Sequence, residues 1–345
     1  MQSGPRERPV MRIFVYEFVT GGGWYSWGEG VPPESLVREG MAMASAIGAD
    51  LAALGHTDVV LLRDHRFDHP PSGTVRTVSV TSRFEELAAF KQLATDSDWT
   101  IVIAPEFSGF LAQRIAIVEK LSGRLLGPGL ATIRLTSDKH LTAEYLAQRN
   151  IPVPRGLPLE PHASLPIAFT YPAVLKPRGG AGSLGVRLVR SETDVGAINE
   201  PSRLEVFCEG EPASVAFLCG PAGNRPLIPC RQRLSEDGRF TYLGGSLPLS
   251  PPCAARATGL ARQALAALGP VRGYLGVDLV LGSALDGSAD VVIEINSRLT
   301  TSYVGLRAVA RSNLAEAMLR IAEGCDAGIV FDDREVQFDA SGRVW

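Results

Sequence analysis

The sequence predicts an α/β protein that opens on a parallel sheet and continues as α+β. Three observations carry that reading. Residues 11–128 alternate apolar strand-like runs with helix-like segments. After Gly127-Pro128-Gly129 the texture changes to short strands punctuated by glycine and proline. A strand pair over residues 274–296 then stands between two helical segments. Alternating units of the first kind argue for an open sheet with helices on its faces.

Residues 1–10 read as a polar, disordered lead-in with no apolar stretch of signal-peptide type, and Met11 opens the first structured segment. Arg12 to Val19 is a β-prone run that ends in Gly21-Gly22-Gly23. Val37, Met41, Ala44, Ile47, Leu51 and Leu54 recur at steps of three and four, forming one helix face that Gly55 stops. Asp58 to Leu62 and Trp99 to Ala104 are short apolar runs of the buried parallel type. Helices are expected from Phe84 to Leu93 and from Leu111 to Leu121. The next helix begins near Ser137, a good N-cap, and runs to Asn150, where Ile151-Pro152-Val153-Pro154 ends it. Further helices cover Ala254 to Leu268 and Asn313 to Glu323, with strands Tyr274 to Leu281 and Asp290 to Asn296 between them.

Composition narrows the function. A chain of 345 residues suggests two or three domains and can bury sizeable cores without staples. Lys plus Arg is 34 against 37 Asp plus Glu, so the basic excess of a nucleic-acid binder is missing. No run approaches the ~18 apolar residues of a membrane span. The five cysteines have no C-x-x-C spacing and read as free thiols, which places the protein in a reducing cytoplasm. The histidines (His56, His65, His69, His140, His162) show no metal spacing and receive no role.

Tyr171 to Val189 is the most informative segment. A strand ends at Lys176, a glycine-rich loop follows, and Val186 to Val189 returns as a strand. Glycines let backbone N–H groups approach anionic oxygens, and a lysine adds a charge for phosphate. Gly180 to Gly185 matches G-x-G-x-x-G, but the continuation is a strand where a dinucleotide site needs a helix. The alternative is a plain glycine-rich hairpin.

Glu294 and Asn296 lie two apart on a strand and share a face, with Ile293 and Ile295 on the other, toward a core. Asp278 on the neighbouring strand can join them. Two carboxylates and an amide oxygen suit Mg²⁺; a solvated outer strand face is the alternative. A two-residue Asp286-Gly287 turn would oppose Asp278 to Ile295, so a shared face requires an odd loop or a β-bulge. Lys139, in the first turn of its helix, reads by itself as a surface lysine.

In their order and spacing these pieces resemble the ATP-grasp superfamily, from about Ser137 to Glu323. SDKHLTAEYLAQRNIPVP is similar to that family's opening helix, PAVLKPRGGAGSLGV to its lysine strand and loop, LEVFCEGEPASVAF to its hinge and EIN to its metal motif. The resemblance implies that Lys139 and Lys176 touch ATP phosphates under a loop that includes Gly179, Gly180, Gly182, Ser183 and Gly185. It implies adenine pairing by Glu205, Val206, Phe207 and Cys208, partly through backbone. Asp278, Glu294 and Asn296 would hold Mg²⁺, two ions in all, with Arg298 adding positive charge beside Lys176 in catalysis. Many members bind ribose through a Glu just after the hinge glycine; here Glu211 and Pro212 follow Gly210, and the simplest register puts Pro212 at that place.

A narrower resemblance, to tyramine–glutamate ligases of methanofuran biosynthesis and their bacterial relatives, rests on RIFVYEFVTGGG, the helix around Glu39-Gly40-Met41-Ala42-Met43, IAPEFSGFL, RFTYLGGSLP and EINSRLTTSYVGL. It implies amide formation between the γ-carboxylate of glutamate and tyramine or tyrosine, through an acyl phosphate. The domain expectation is a pre-ATP-grasp substrate domain over 11–128, a small lobe over 129–204, a large lobe over 205–330 and a tail over 331–345. Glu17, Thr20 and Glu106 sit after strand ends, where open α/β sheets bind ligands, and either carboxylate can hold an ammonium group. The alternative is that both are cap or surface acids. Arg231, with Gln232 beside it, is the candidate for a substrate carboxylate. The rival readings are another ATP-grasp amino-acid or peptide ligase and a nucleotide-binding module without turnover.

Overall fold

The computed structural model describes residues 10–27, 30–67, 75–163, 165, 169–180 and 182–345. Apart from Val10, the expected lead-in lies outside the described residues, as do His69 and, within the glycine-rich loop, Ala181.

The first region runs β1 (Met11–Glu17), α1 (Glu34–Ala52), β2 (Thr57–Asp64), β3 (Arg76–Val80), α2 (Arg83–Asp96), β4 (Trp99–Ile103) and α3 (Phe110–Lys120). Its sheet has the order β3-β2-β1-β4 and every pairing is parallel. Both faces of β1 are covered, and its period of two explains how. Ile13 and Val15 enter one core with Ile47, Leu51 and Trp99, while Phe14 and Tyr16 enter another with Phe90, Phe110 and Val118.

The second region opens on α4 (Leu130–Thr136) and α5 (Lys139–Ala147). It continues through β5 (Gly156–Leu159), β6 (Ala173–Pro177), β7 (Arg187–Val189), α6 (Glu192–Val195) and β8 (Ser202–Val206). These four strands make a small antiparallel sheet ordered β5-β8-β6-β7. Leu159, Ala173, Leu175, Val189, Val195, Ile198 and Leu204 form a core of its own beneath it.

The third region holds β9 (Glu211–Gly220), β10 (Gly223–Pro226), β11 (Cys230–Leu234), β12 (Tyr242–Leu247), α7 (Pro251–Ala267), β13 (Gly273–Leu281), β14 (Val291–Asn296), α8 (Ser302–Val309), α9 (Leu314–Ala322) and β15 (Val336–Asp339). Its sheet is ordered β14-β13-β9-β11-β12-β15, with β10 paired to β9. One face packs on α7, α5 and the chain after it, through Leu260, Leu265, Leu146 and Ile151. The other face joins α8, α9 and α1 in a core continuous with that of the first sheet.

Several boundaries depart from the sequence reading. Asp138, not Ser137, caps α5: its carboxylate accepts from the His140 and Leu141 amides, while Ser137 closes the preceding α4. The helix stops at Ala147 rather than Asn150, which has a positive φ of 59°. The expected division between residues 204 and 205 falls inside β8, and α5 packs on the large sheet as well as the small one. The expected tail over 331–345 contains β15, which pairs with β12 and buries Phe338 completely. Among the described residues no helix is long and apolar enough to cross a membrane.

Candidate active site

The strand parity of β6 builds one wall of the site. Ala173 and Leu175 turn into the small core, so Val174 and Lys176 face outward to a cavity between the small and large sheets. Lys176 is 3% exposed and its Nζ lies 2.5 Å from Glu205 Oε1 on β8. Arg203 donates through Nε to the other oxygen of Glu205 at 2.7 Å and through Nη1 to His140 Nδ1 at 2.8 Å. Burial, then the neighbouring Arg203 guanidinium, hold the His140 pKa below its ordinary value, which suits a neutral ring as acceptor. The Lys176 charge is therefore fixed in place by a buried network rather than free in solvent.

Lys139 reaches the same cavity from the first turn of α5. Its Nζ donates to Gly180 O at 2.9 Å and lies 3.0 Å from Glu294 Oε2. Burial would lower its pKa, but Glu294 and Glu106 outweigh burial and raise it, so the side chain stays charged. The Gly180 carbonyl ties the glycine-rich loop to this lysine. The loop turns through positive φ at Gly182, Ser183 and Gly185 and returns as β7, as a strand and not a helix.

Asp278 and Glu294 stand directly opposite each other on β13 and β14, and the register shifts immediately beyond them. The residue left over in the shift is Ile293, so the hairpin carries the bulge that a shared face requires. The bulge also corrects one expectation. Ile295 is buried as read, but Ile293 leaves the alternation and lines the cavity beside Glu294. Asn296 Nδ2 donates to Asp278 Oδ2 at 2.9 Å, and Gln232 Nε2 donates to Asp278 Oδ1 at 3.0 Å.

Two carboxylates this close cannot both stay ionised without a cation. Burial and then the Glu294 charge push Asp278 well above the usual carboxylate range. Burial also opposes ionisation of Glu294, but Lys139 and Lys176 outweigh it and bring Glu294 down to about 2. A charge cluster that shares a proton in this way fits a divalent cation. Among the described residues no three His, Cys, Asp or Glu converge as a metal site, so Asn296 and ligand oxygens would have to complete the coordination.

The cavity measures about 840 Å³, within the usual size range of ligand sites. Val174 and Leu188 of the small sheet face Leu279 and Ile293 of the large one, with Phe207 and Phe240 stacked at 5.9 Å. Of the hinge residues, the Val206 and Phe207 amides already donate to the Arg155 and Pro172 carbonyls. Their N–H groups are thus unavailable for adenine pairing, and the Glu205 side chain is committed to Lys176 and Arg203. That leaves Cys208, which lines the cavity, as the hinge residue whose backbone N–H takes no partner among the described residues. Glu39, Tyr242, Arg298 and Thr300 to Ser302 also line the cavity.

The candidate substrate residues fare differently. Arg298 donates through Nε and Nη2 to the two oxygens of Glu106 at 2.8 and 3.1 Å, so Glu106 is a buried partner of Arg298 rather than a free ammonium site or a surface acid. Glu17 accepts from the Val19 and Thr20 amides and from Thr20 Oγ1. It ties the turn after β1, so it is neither a helix cap nor a surface acid; it does not line the cavity, and burial raises its pKa despite these bonds. Arg231 pairs with Glu211 at 2.7 Å, and neither lines the cavity, whereas Gln232, its neighbour on β11, does. Strand parity sends Arg231 to the wrong side, and it takes Glu211 away from any ribose.

Comparison with known proteins agrees with this geometry. The ATP-grasp domain family matches residues 136–302, and the pre ATP-grasp 3 domain family matches residues 57–133. The chain carries an ATP-grasp domain preceded by a pre-ATP-grasp domain. Its relatives include tyramine–L-glutamate ligase of Methanocaldococcus fervens, 23% identical over 322 residues that cover 92% of this chain and 96% of that protein. An ATP-grasp superfamily protein from Archaeoglobus fulgidus superposes with a TM-score of 0.72 at 21% identity, covering 95% of this chain and 92% of the other. An L-amino acid ligase from Bacillus licheniformis superposes with a TM-score of 0.70 at 17% identity, covering 96% and 79%. The family and its ligase relatives support an ATP-dependent carboxylate–amine ligase with small-molecule substrates. In this ATP-grasp chain the two lysines, the opposed carboxylates and the loop thus meet in one cavity. Sequence reasoning gave no function to Glu39 or Tyr242, because each lies inside an ordinary helix or strand pattern.

Proposed function

We propose that this protein joins the γ-carboxylate of L-glutamate to the amine of tyramine or tyrosine, consuming ATP and releasing ADP and phosphate. The observation that carries the reading is one continuous cavity lined by Lys139, Lys176, Asp278, Glu294, Asn296 and Arg298. The ligase relatives support the choice of substrates.

A carboxylate is a poor acyl donor because its leaving group would be oxide. In the first step a carboxylate oxygen attacks the γ-phosphorus and ADP leaves, giving an acyl phosphate. In the second the amine nitrogen attacks the acyl carbon, phosphate leaves, and the nitrogen loses a proton. Little covalent chemistry falls to the protein, which positions reactants and neutralises charge. Lys139 and Lys176 hold phosphate oxygens, and the Gly179–Gly185 loop excludes water from the acyl phosphate. Arg298 sets positive charge at the reacting end, and Glu106 holds its guanidinium plane in place. Asp278, Glu294 and Asn296 would hold Mg²⁺, which supplies further neutralisation of phosphate charge when bound.

The test mixes ATP, Mg²⁺, one carboxylate and one amine, and reads phosphate release across a panel. Glutamate with tyramine or tyrosine gives the strongest signal and an amide lighter by one water than its substrates. The amine attacks as the neutral base, so the rate rises with pH until another step limits it. Aspartate or alanine replacing glutamate without loss would overturn the carboxylate assignment. Aliphatic amines matching aromatic ones would overturn the amine assignment.

A further inference from the structure

Among the described residues each charged side chain lining the cavity has a partner, with two exceptions, Glu236 and Glu39. Glu205 is held by Lys176 and Arg203, and Asp278 by Asn296 and Gln232. Glu294 faces Lys139. Glu236 is exposed at the rim. Glu39, on α1, is half-buried in the cavity wall and, among the described residues, takes no hydrogen bond and no ion pair. A carboxylate withdrawn from water without a donor costs stability, and folds keep such groups where a ligand supplies the donor.

We propose that Glu39 docks a primary ammonium group of the bound substrate; this rests on the ligase reading above. The position is well defined. Behind it, Gly40 brings α1 so close to β1 that an added Cβ would stand 2.5 Å from the Glu17 carboxyl carbon. Glu17 is itself locked by three donors, so α1 cannot drift and Glu39 is presented to the cavity at a fixed depth. The nearest opposing charge, Arg298, lowers the Glu39 pKa against the larger effect of burial, but its fork is spent on Glu106. Tyr242, on the same wall, has its ionisation opposed by Glu39 among other groups, after burial, and remains a neutral phenol. The cavity wall at Glu39 therefore offers an unshared carboxylate with a neutral phenol and an already paired arginine nearby, which suits a cationic nitrogen on a small polar molecule. Two nitrogens qualify: the α-ammonium of the carboxylate donor and the protonated amine of the acceptor.

Hydroxylamine separates them, because it replaces the acceptor and traps the acyl phosphate as a hydroxamate. In that assay the wild-type chain is compared with Glu39→Gln and with Glu39→Asp, which keeps the charge. If Glu39 holds the donor, Glu39→Gln raises the KM for glutamate about tenfold or more, the size of one lost charge-assisted hydrogen bond. The KM for glutarate, which lacks the nitrogen, then stays within about twofold. If Glu39 holds the acceptor, the glutamate KM in the trapping assay is unchanged and the KM for the amine rises by that factor in the full reaction. In both cases the ATP KM stays within about twofold, and Glu39→Asp recovers part of the loss, which damage to the fold would not produce. A Glu39→Gln protein with both KM values within about twofold of wild type overturns the proposal. Wild-type protein inactive with glutamate and either aromatic amine overturns the substrate reading instead. The same comparison then runs on the carboxylate–amine pair that the panel finds.

Discussion

Asp138 illustrates what one residue does that its neighbours cannot. It caps α5, and it also accepts from Arg178 Nη2 at 2.6 Å, which ties the helix that carries Lys139 to the end of β6. Burial would raise its pKa, but the Arg178 hydrogen bonds and the capped amides outweigh burial and lower it. A carboxylate whose folded pKa lies below its unfolded value, ~3.9, stabilises the protein above that value and loses the contribution as pH falls through the folded one. Asp138→Asn keeps a capping oxygen but loses the charge. Its urea midpoint at pH 7 should fall by an amount equivalent to about 0.5–1.5 kcal/mol, and the gap from wild type should close below about pH 4. Equal gaps at pH 7 and pH 3 would refute this account. The sequence reading names Ser137 as the cap; the Asp138 carboxylate takes that role by accepting the His140 and Leu141 amides, and Arg178, 40 residues on, adds to its hold. The Glu106–Arg298 pair, 192 residues apart, leaves no local signal at all.

At the scale of elements, long periodic segments were legible and short ones were not. β1, β2 and β4 of the first sheet, α1, α2, α3, α7, α9 and the β13–β14 hairpin follow from apolar period and punctuation, whereas β3 (Arg76–Val80) went unread. α4 and α8 have 7 and 8 residues, about two turns each, too short to display a period, and β15 has only Val336 and Phe338 to mark it. Phe338 explains why β15 exists. Its ring lies against Gly245 of β12 and Gly305 of α8, and a Cβ at Gly305 would stand 2.3 Å from it. Two glycines clear a slot that only a large flat side chain fills. Phe338→Ala should therefore cost about 3–5 kcal/mol in a urea unfolding curve, as for other fully buried aromatics. A cost below about 1 kcal/mol would mean that β15 is dispensable. The hairpin bulge belongs here too: the demand that Asp278 face Glu294 foretold it, although the Asp286-Gly287 turn signal argued the other way.

For the whole molecule, the sequence revealed the order of parts better than their joints. The first sheet and the large sheet share one core through α1, α8 and α9, which composition and periodicity do not register because each helix looks self-sufficient on its own. The cavity-lining residues were readable where a motif is compact, as in the lysine strand and the β14 triplet. They were unreadable where the cavity borrows a side chain from a distant wall, as with Glu39 and Tyr242. Arg231 failed for a related reason: which side of β11 faces the cavity is set by its partners β9 and β12, not by its own residues.

The separate core beneath the small sheet has a consequence for the time course of opening. Leu159, Leu175, Val189 and Leu204 pack with one another and not with the other three cores, so this sheet can part from the rest without breaking them. Amide protons of β5 to β8 should exchange with deuterium through sub-global events, faster than those of β9 and β13. A nucleotide held between the two sheets bridges them and removes the cheap route. With ATP analogue bound, exchange in β6 and β8 should slow by at least about tenfold while β1 and β4 change little. Uniform slowing across all three sheets would mean that the molecule opens only as one piece.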